Sequence, residues 1–338
     1  MARSIPLVRV NVIFPFISYL DRLDIPKQQI LQAARIPVST LNNPENLVPL
    51  ALVCQFIESV ACYTGKETLG IEVGLNTSLE QLGAFGRLIR HSFTLYELLK
   101  TAEKLVPLYC SGDNLRICYQ EDKAWLYYYT FRSDNYFSQH EIHYLMIHCL
   151  NSIRLVADRD WQPSEIHLMS REGRFWNNIQ LFSNTHFLFN HPKVAISFPK
   201  TYLNRPIHYC SGYDRFNQRQ DINILQLTSP ALEFPAAIQQ VLKFLLPQGY
   251  PVIELVAEIA GMNVRSFQRR LAENGLSYSR LVEKVRFDEA ISNLQDPEMK
   301  INEIALELGY RDPANFTRAF KRWTGISPQD FREQQCNG

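Results

Sequence analysis

Polar and cationic side chains that can read DNA bases recur in two segments in the last third of this 338-residue sequence. Arginine forms bidentate hydrogen bonds with guanine O6 and N7, and asparagine and glutamine do so with adenine. The residues concerned are Arg265, Ser266, Gln268, Arg269 and Arg270 in the first segment, and Asn315, Thr317, Arg318, Lys321 and Arg322 in the second, where the apolar Ala314 stands on the same face. Two such sets in tandem predict a protein that contacts DNA through two similar units.

The two segments share one local pattern, which predicts that each is the second helix of a helix-turn-helix. A small residue, Ala257 or Ala305, stands four positions before a glycine, and a short polar turn leads to a cationic helix with a central phenylalanine. A helix advances about 100° per residue, so a helix that turns Phe267 inward turns Arg265 and Arg269 outward. The same count holds in the second segment. Both helices therefore have an apolar back and a hydrogen-bonding front.

Residues at the ends of these helices support the same interpretation. Asn263 and Asp312 are good N-caps, and Pro313 stands in the first helical turn, where its missing N–H costs nothing. Gly261 and Gly309 suit the left-handed conformation that usually ends the preceding helix. The major groove accepts a two-helix unit with a tight turn and a polar second helix.

Charge alone does not mark this region as DNA-binding. Residues 235–338 hold thirteen Lys and Arg against thirteen Asp and Glu, which also fits ordinary solvated helices. The asymmetry is local, because residues 264–273 carry three arginines against one acid, and residues 313–323 carry three cations and no acid. We expect DNA to contact these two helices, with limited nonspecific affinity.

The C-terminal hundred residues resemble the AraC/XylS family of transcriptional regulators. Besides both motifs, the sequence contains Gly275-Leu-Ser-Tyr278 before a long amphipathic stretch, a break at Asp296-Pro297, and a closing segment from Lys321 to Arg332 that is similar to the family's signature. The resemblance covers about residues 235–331. It implies an all-α domain in which one long helix joins two helix-turn-helix units.

The resemblance also implies which residues read bases, and these nearly coincide with the front found by counting helix positions. The family's base-reading positions fall on Arg265, Ser266, Gln268 and Arg269, and on Ala314, Asn315, Thr317 and Arg318. Pro251 and Lys300 depart from the family, which usually has a Ser or Thr cap at these points. The implied partners are double-stranded promoter or operator DNA, bound in successive major grooves about 34 Å apart, and RNA polymerase.

The first two thirds of the sequence predict a mixed α+β domain. Residues 47–63, 95–108 and 139–156 have helical spacing, and residues 115–131 alternate around a turn as a β-hairpin does. Further short strands are predicted at residues 164–169 and 193–198. We therefore predict an effector-binding and dimerisation domain over residues 1–216, a linker over 217–234 and a double helix-turn-helix domain over 235–338.

This mixed pattern differs from the jelly-roll sensor of the family's arabinose-responsive members. Leu82-Gly83-Ala-Phe85-Gly86, with Ser92-Phe93-Thr94-Leu95, resembles another, arabinose-binding-like sensor type of the family, and the resemblance extends to residues 203–207. It implies that a small-molecule effector binds here and does not identify it. Aromatic residues typify such pockets. The candidates on the hairpin are Trp125, Tyr127, Tyr129 and Phe131, some of which belong to the core because alternate residues of a strand face opposite ways.

Other kinds of site find little support in the sequence. His140, His143 and His148 cannot converge on a metal from one helix, and no catalytic or cofactor-binding motif is present, so we expect no metal, no cofactor and no enzymatic activity. No apolar run reaches the length of a membrane-spanning helix. Seven scattered cysteines without a C-x-x-C pair are typical of reduced thiols and favour a cytoplasmic protein.

Two functions fit this pattern. The first is a sequence-specific transcriptional regulator, an activator as in most of the family, that is controlled by an effector and forms a homodimer. The alternative is a DNA-bending architectural protein whose first domain only dimerises. A regulator prefers its site by about 10³ or more, whereas an architectural protein tolerates most sequences.

Overall fold

The structure is a computed structural model that describes residues 5–130, 138–158, 161–171, 173, 175–176, 179–207 and 215–336. Residues Pro6–Pro230 form one compact unit, here called the N-terminal unit, and a second compact unit, the C-terminal unit, begins at Ala231. The predicted combination of a mixed α+β domain and an all-α domain is confirmed.

The N-terminal unit contains α-helices along its whole length, among them two that begin at side-chain caps. The Thr94 hydroxyl accepts a hydrogen bond from the Glu97 backbone N–H at 3.2 Å, and the Ser138 hydroxyl accepts one from the Glu141 N–H at 3.1 Å. These helices are α1 (Phe14–Arg22), α2 (Lys27–Ala33), α3 (Leu50–Thr64), α4 (Leu69–Leu75), α5 (Gly83–Arg90), α6 (Leu95–Tyr109), α7 (Gln139–Arg154) and α8 (Arg215–Leu227).

Two sheets accompany these helices. The strands are β1 (Leu7–Arg9), β2 (Leu47–Pro49), β3 (Asp113–Gln120), β4 (Lys123–Thr130), β5 (Glu165–His167), β6 (His186–Leu188) and β7 (Val194–Pro199). β1 and β2 form an antiparallel pair, and the other five follow the order β3-β4-β7-β5-β6, antiparallel except for β5 and β6. The predicted hairpin turns where Glu121 adopts φ +52°. In this sheet β4 lies between β3 and β7 and forms the two longest strand pairings with them.

Helix α7 forms the core of the N-terminal unit. It contacts α3, α4, α6 and β7. Its residues Ile142, Met146 and Leu150 have no exposed surface. Because α7 is covered on several sides, polar residues outside its apolar stripe, such as His143 and His148, are buried as well.

Two boundaries differ from the sequence-based prediction. The helix expected from residue 47 begins at Leu50, because residues 47–49 pair with β1 instead. Most of the predicted linker is helical: α8 extends to Leu227 and belongs to the N-terminal unit, where Leu225 is fully buried. Polar composition suggested a linker, but α8 buries Asp221 and Leu225 against the unit.

The C-terminal unit is all-α, as predicted. Its long central helix α12 contacts both α9 and α13 and so joins the two halves of the unit. Buried side chains of α12, α13 and α14, among them Leu294, Ile304 and Phe316, form one apolar cluster. The helices are α9 (Phe234–Leu245), α10 (Ile253–Ile259), α11 (Val264–Glu273), α12 (Tyr278–Leu294), α13 (Ile301–Glu307), α14 (Pro313–Thr324) and α15 (Pro328–Cys336).

Candidate nucleic-acid interface

Helices α10 and α11 form the first helix-turn-helix. Gly261 ends the first of them with φ +65°, a left-handed conformation that glycine adopts without strain. The Asn263 side-chain oxygen accepts a hydrogen bond from the Ser266 backbone N–H at 2.9 Å and so caps α11. Phe267 and Leu271 are buried beneath the helix. The local signals in the sequence therefore define this unit's turn and the orientation of its second helix.

Helices α13 and α14 repeat this arrangement. Gly309 has φ +72°, and the Asp312 carboxylate accepts a hydrogen bond from the Ala314 backbone N–H at 2.9 Å. Phe316 and Phe320 are fully buried. A Cβ atom at Gly309 would lie 2.6 Å from the backbone oxygens of Leu246 and Gly249, so this turn requires glycine for space as well as for conformation.

The outward faces of α11 and α14 carry the predicted polar residues. Ser266 and Thr317 are half-buried, and the Thr317 hydroxyl donates to the Pro313 carbonyl oxygen at 3.1 Å. The other positions on these faces are solvent-exposed. They are Arg265, Gln268, Arg269, Ala314, Asn315, Arg318, Lys321 and Arg322.

A separate feature of the N-terminal unit is a cavity of about 70 Å³, here called the N-terminal cavity. Residues from α5, α6, α7 and the β3–β4 hairpin line it, including Phe85, Val106, Leu126, Tyr128 and His148. Its walls are mainly apolar, as is usual in small-molecule sites.

Comparison with known proteins identifies the chain. Residues 25–207 match the family described as the arabinose-binding domain of AraC transcription regulator, N-terminal, and residues 256–334 match a helix-turn-helix domain. The chain belongs to the AraC family of transcription regulators.

Similar AraC-type proteins cover either the whole chain or its C-terminal part. The ornithine utilization regulator of Pseudomonas aeruginosa is 24% identical over 329 residues, which are 97% of this chain and 96% of that protein. The HTH-type transcriptional regulator VirS of Mycobacterium tuberculosis is 36% identical over 88 residues, 26% of each protein. The crystal structure of the transcriptional regulator CdpR from P. aeruginosa aligns with 96% of this chain and 98% of that chain, with a TM-score of 0.42 and 19% identity.

Three exposed cations of this AraC-family regulator form contacts that can be broken at little cost in free energy. Arg269 Nε lies 3.8 Å from Glu273 Oε1, and Arg322 Nη2 lies 3.0 Å from Glu283 Oε1. Arg318 donates a hydrogen bond to Asn315 Oδ1. Exposed pairs of this kind contribute about 0.2–1 kcal/mol each. A phosphate or a base edge can therefore replace these partners.

Arg270, which is also predicted to contact DNA, packs against two apolar side chains. Its guanidinium stacks 3.8 Å from the centre of the Phe234 ring and contacts Met262 Sδ at 3.9 Å. Burial lowers the pKa of Arg270. Three residues after Phe267 means a rotation of about 300°, which places Arg270 next to the buried face rather than opposite it. The structure thus gives Arg270 a packing role between α11 and α9.

Arg286 on α12 is a residue whose importance sequence reasoning missed. Its Nε donates to the Leu308 carbonyl oxygen at 2.9 Å, and its Nη2 donates to the Gly309 carbonyl oxygen at 3.1 Å. These carbonyls end α13 and have no partner within their own helix. Arg286 also stacks on the Tyr310 ring at 4.3 Å. It therefore fixes the long helix against the turn of the second helix-turn-helix, a contact with no local signal in the sequence.

Other contacts replace the Ser or Thr caps that the family usually has at the positions of Pro251 and Lys300. The Tyr278 hydroxyl donates to the Pro251 carbonyl oxygen at 2.6 Å, which ties the start of α12 to the segment before α10. Burial raises the pKa of Tyr278. The Glu303 carboxylate accepts a hydrogen bond from the Lys300 backbone N–H at 3.1 Å at the start of α13. Long-range and carboxylate contacts thus stabilise both helix starts without a Ser or Thr cap.

The hairpin aromatics predicted to bind an effector lie on the face of β4 opposite the N-terminal cavity. Trp125 stacks on Tyr127 with ring centres 5.9 Å apart, and Lys193 Nζ lies 3.8 Å from the Tyr127 ring and 5.1 Å from the Tyr129 ring. The alternate residues of β4 line the cavity instead. Phe131 lies outside the described residues.

His143 and His148 of α7 have separate environments. His143 Nε2 is hydrogen-bonded to Ser170 Oγ at 3.0 Å, and burial lowers its pKa to about 3. His148 lines the N-terminal cavity. Within the described residues, no group of three or more His, Cys, Asp or Glu is placed to hold a metal ion, and no helix is long and apolar enough to cross a membrane.

Proposed function

We propose that this protein is a sequence-specific activator of transcription that reads DNA bases with α11 and α14 under the control of a small-molecule effector. One observation carries the DNA-binding part: two capped helices of one unit expose matching faces rich in Arg, Asn and Gln, and α12 connects them. These side chains suit the edges of guanine and adenine in the major groove.

We assign different roles to the residues of the two faces. Arg265, Gln268 and Arg269 are proposed to contact bases in one half-site, together with Ser266. Asn315 and Arg318 do so in the other, where Ala314 and Thr317 supply apolar and hydroxyl contacts to thymine or the backbone. Lys321 and Arg322 follow near the C-terminal half of α14 and are proposed to contact phosphates.

A fixed separation between the two helices favours binding to two adjacent major grooves. Such grooves are about 34 Å apart on one face of DNA. Bringing both helices into contact often requires the DNA to bend, at a cost of about 1–6 kcal/mol that the second set of contacts offsets. One copy of the protein would then contact two half-sites.

The N-terminal unit is proposed to bind the effector and to form a homodimer, and the activated complex to contact RNA polymerase. The similar P. aeruginosa protein is named for ornithine utilization, which supports control by a metabolite in this chain also. A ligand that binds one arrangement of the protein better than another shifts a pre-existing equilibrium and so changes occupancy of the operator.

Footprinting of the full chain on DNA upstream of its own and adjacent genes tests this proposal at fixed salt. We expect two protected patches one helical turn apart, weakened by Arg269→Ala in one patch and by Arg318→Ala in the other. Arg280→Ala, an exposed arginine of α12 outside both faces, is the matched control. Diffuse protection that disappears at moderate salt would instead support a DNA-bending architectural protein.

A further inference from the structure

His148 is an unsatisfied polar group on the wall of the N-terminal cavity. It is 7% exposed, and neither ring nitrogen has a hydrogen-bond partner among the described residues. A buried polar group without a partner costs about 1–3 kcal/mol. Burial also lowers the pKa of His148 to about 4, so the ring is neutral near pH 7, with one donor and one acceptor nitrogen. A ligand with one polar atom would satisfy one of the two nitrogens.

Three other polar groups of the wall are already engaged, whereas the Tyr144 hydroxyl, like His148, has no hydrogen-bond partner among the described residues. The Tyr109 hydroxyl donates to Asn11 Oδ1 at 2.8 Å, and the Tyr128 hydroxyl donates to Asp113 Oδ2 at 2.7 Å. The Ser152 hydroxyl donates to the His148 carbonyl oxygen at 2.9 Å. None of the described residues that line the cavity is Lys, Arg, Asp or Glu. A charged ligand would therefore lose its hydration without gaining an opposite charge, which is very costly in an apolar site.

The size of the cavity sets a second condition. Its volume of about 70 Å³ is about half that of an engineered apolar cavity of about 150 Å³ that binds benzene. A ligand of more than a few non-hydrogen atoms must therefore displace part of the wall. Helix α5 forms one part, through Phe85 and Ile89.

The opposite side of α5 is bonded to α8. Arg87 Nε donates to Asp221 Oδ2 at 2.9 Å, and Arg87 Nη2 donates to Asp221 Oδ1 at 2.6 Å. Asp221 is buried. The two parallel bonds form a bidentate pair, which has a strict geometry. A shift of α5 therefore cannot leave α8 unaffected.

Arg9, which is fully buried, provides a second connection between α5 and α8. Arg9 donates to Thr228 Oγ1 at 2.7 Å and to the Leu225 carbonyl oxygen at 3.0 Å, and it pairs with Glu45 Oε2 at 2.9 Å. The other carboxylate oxygen of Glu45 accepts a hydrogen bond from the Ala84 backbone N–H at 2.9 Å, at the start of α5. Helix α8 is the last helix before the chain reaches the C-terminal unit at Ala231.

We propose that the N-terminal cavity binds a small, uncharged, mainly apolar molecule whose single hydroxyl or carbonyl oxygen bonds to His148, and that α5 transmits its occupancy to α8 through Arg87 and Asp221. This inference rests on the proposed effector function and specifies its ligand class and its route. Free amino acids, which are charged near neutral pH, are excluded from this cavity.

The binding half is tested with the full chain by saturation-transfer NMR and by thermal unfolding, using 1-butanol, butyrate and ornithine as probes. We expect 1-butanol to bind and the two charged probes not to. His148→Phe keeps a ring and removes the nitrogens, so it should weaken 1-butanol binding about tenfold, the equivalent of one hydrogen bond. Ala102→Leu fills the cavity from α6 and should abolish binding.

The transmission half is tested by hydrogen exchange of α8 with and without 1-butanol. We expect 1-butanol to change hydrogen exchange over residues 215–227 in the natural chain. The same change is expected in Lys243→Ala, a control substitution in the C-terminal unit. In Arg87→Met, 1-butanol should leave the exchange of these residues unchanged. Binding of butyrate or ornithine, undiminished 1-butanol binding by both cavity variants, or no 1-butanol binding at all would overturn the proposal. Neither readout uses DNA, so a failure here is distinct from a failure to protect an operator.

Discussion

The two units of this protein place their polar groups in opposite environments. In the C-terminal unit, Arg265, Arg269 and Arg318 are exposed on the faces of two helices. In the N-terminal unit, Arg9 and His143 have no exposed surface. Exposed charges can exchange water for phosphates and bases at small cost, whereas buried ones contribute to stability and to the position of neighbouring helices. Perturbations of the two sets should therefore change different properties.

Acidification should produce the largest difference in stability between the two units. All eight histidines lie between residues 91 and 208, and burial lowers the pKa of His143 to about 3 and of His148 to about 4. In the unfolded chain both return to about 6.5, so the unfolded state binds more protons below that pH. The free energy of unfolding of the N-terminal unit should therefore fall below pH 6.5. The fall should be about 1.4 kcal/mol per pH unit for each histidine as the pH drops towards 4.

Hydrogen exchange followed from pH 7 to pH 4 measures this difference in the intact protein. Peptides of the N-terminal unit should lose protection, and those of α9 to α14 should keep it. His148→Phe should remove roughly half of the pH dependence. Equal loss of protection in both units would show that buried histidines do not determine the acid sensitivity.

Breaking the buried ion pair should have the next largest effect. Arg9→Met leaves the Glu45 carboxylate buried without its cation and should lower the free energy of unfolding of the N-terminal unit by about 3–5 kcal/mol. Glu283→Gln is the matched change in the exposed Arg322 pair and should cost less than about 1 kcal/mol. Urea unfolding measures both. Similar losses would refute the proposed contrast between buried and exposed pairs.

A close contact in the C-terminal unit should have an intermediate effect. Gly309→Ala meets both a left-handed backbone and two carbonyl oxygens 2.6 Å from the new Cβ, so it should lower the free energy of unfolding by about 2 kcal/mol or more. Gly275→Ala is the control, because this glycine also has positive φ, +69°, but open space around it. It should cost about 1 kcal/mol. If the two losses are equal, the packing at Gly309 contributes nothing.

Exposed arginines should affect stability least and DNA binding most. Arg269→Ala and Arg318→Ala should each change the free energy of unfolding by no more than about 0.5 kcal/mol. Each should weaken operator binding by about 1–3 kcal/mol and relax the preference at one base position. Binding measured on an operator and on single-base variants of it tests this. An equal loss on every sequence would show that these arginines contact phosphate alone.

The accuracy of the sequence-based predictions follows the range of the interactions involved. The caps Asn263 and Asp312 and the glycines Gly261 and Gly309 act within one or two helical turns, and all four adopt the predicted geometry. The buried phenylalanines follow from the same local periodicity. The packing of Arg270 depends in addition on Phe234, which is 36 residues away in the sequence and stacks on it at 3.8 Å.

The N-terminal unit shows the opposite case. Alternation along β4 divides its aromatic residues between two faces, but it does not say which face a cavity adjoins. That depends on α5, α6 and α7, which pack on the side of Tyr128 rather than of Trp125 and Tyr127. The polar sequence of α8 likewise suggested a linker. The bonds that fix this helix in the unit come from Arg9 and Arg87, which are more than 130 residues away in the sequence.

The sequence by itself determined the two helix-turn-helix units, their polar faces and the family, because helix periodicity, capping and glycine conformation are local and recur in two copies. Only the tertiary structure decided that Arg270 packs, that Arg286 fixes α12 to the second turn, and that an apolar cavity with one unsatisfied histidine lies beside a helix bonded to α8. Those features arise from contacts between residues distant in the chain, and no short pattern of residues encodes them.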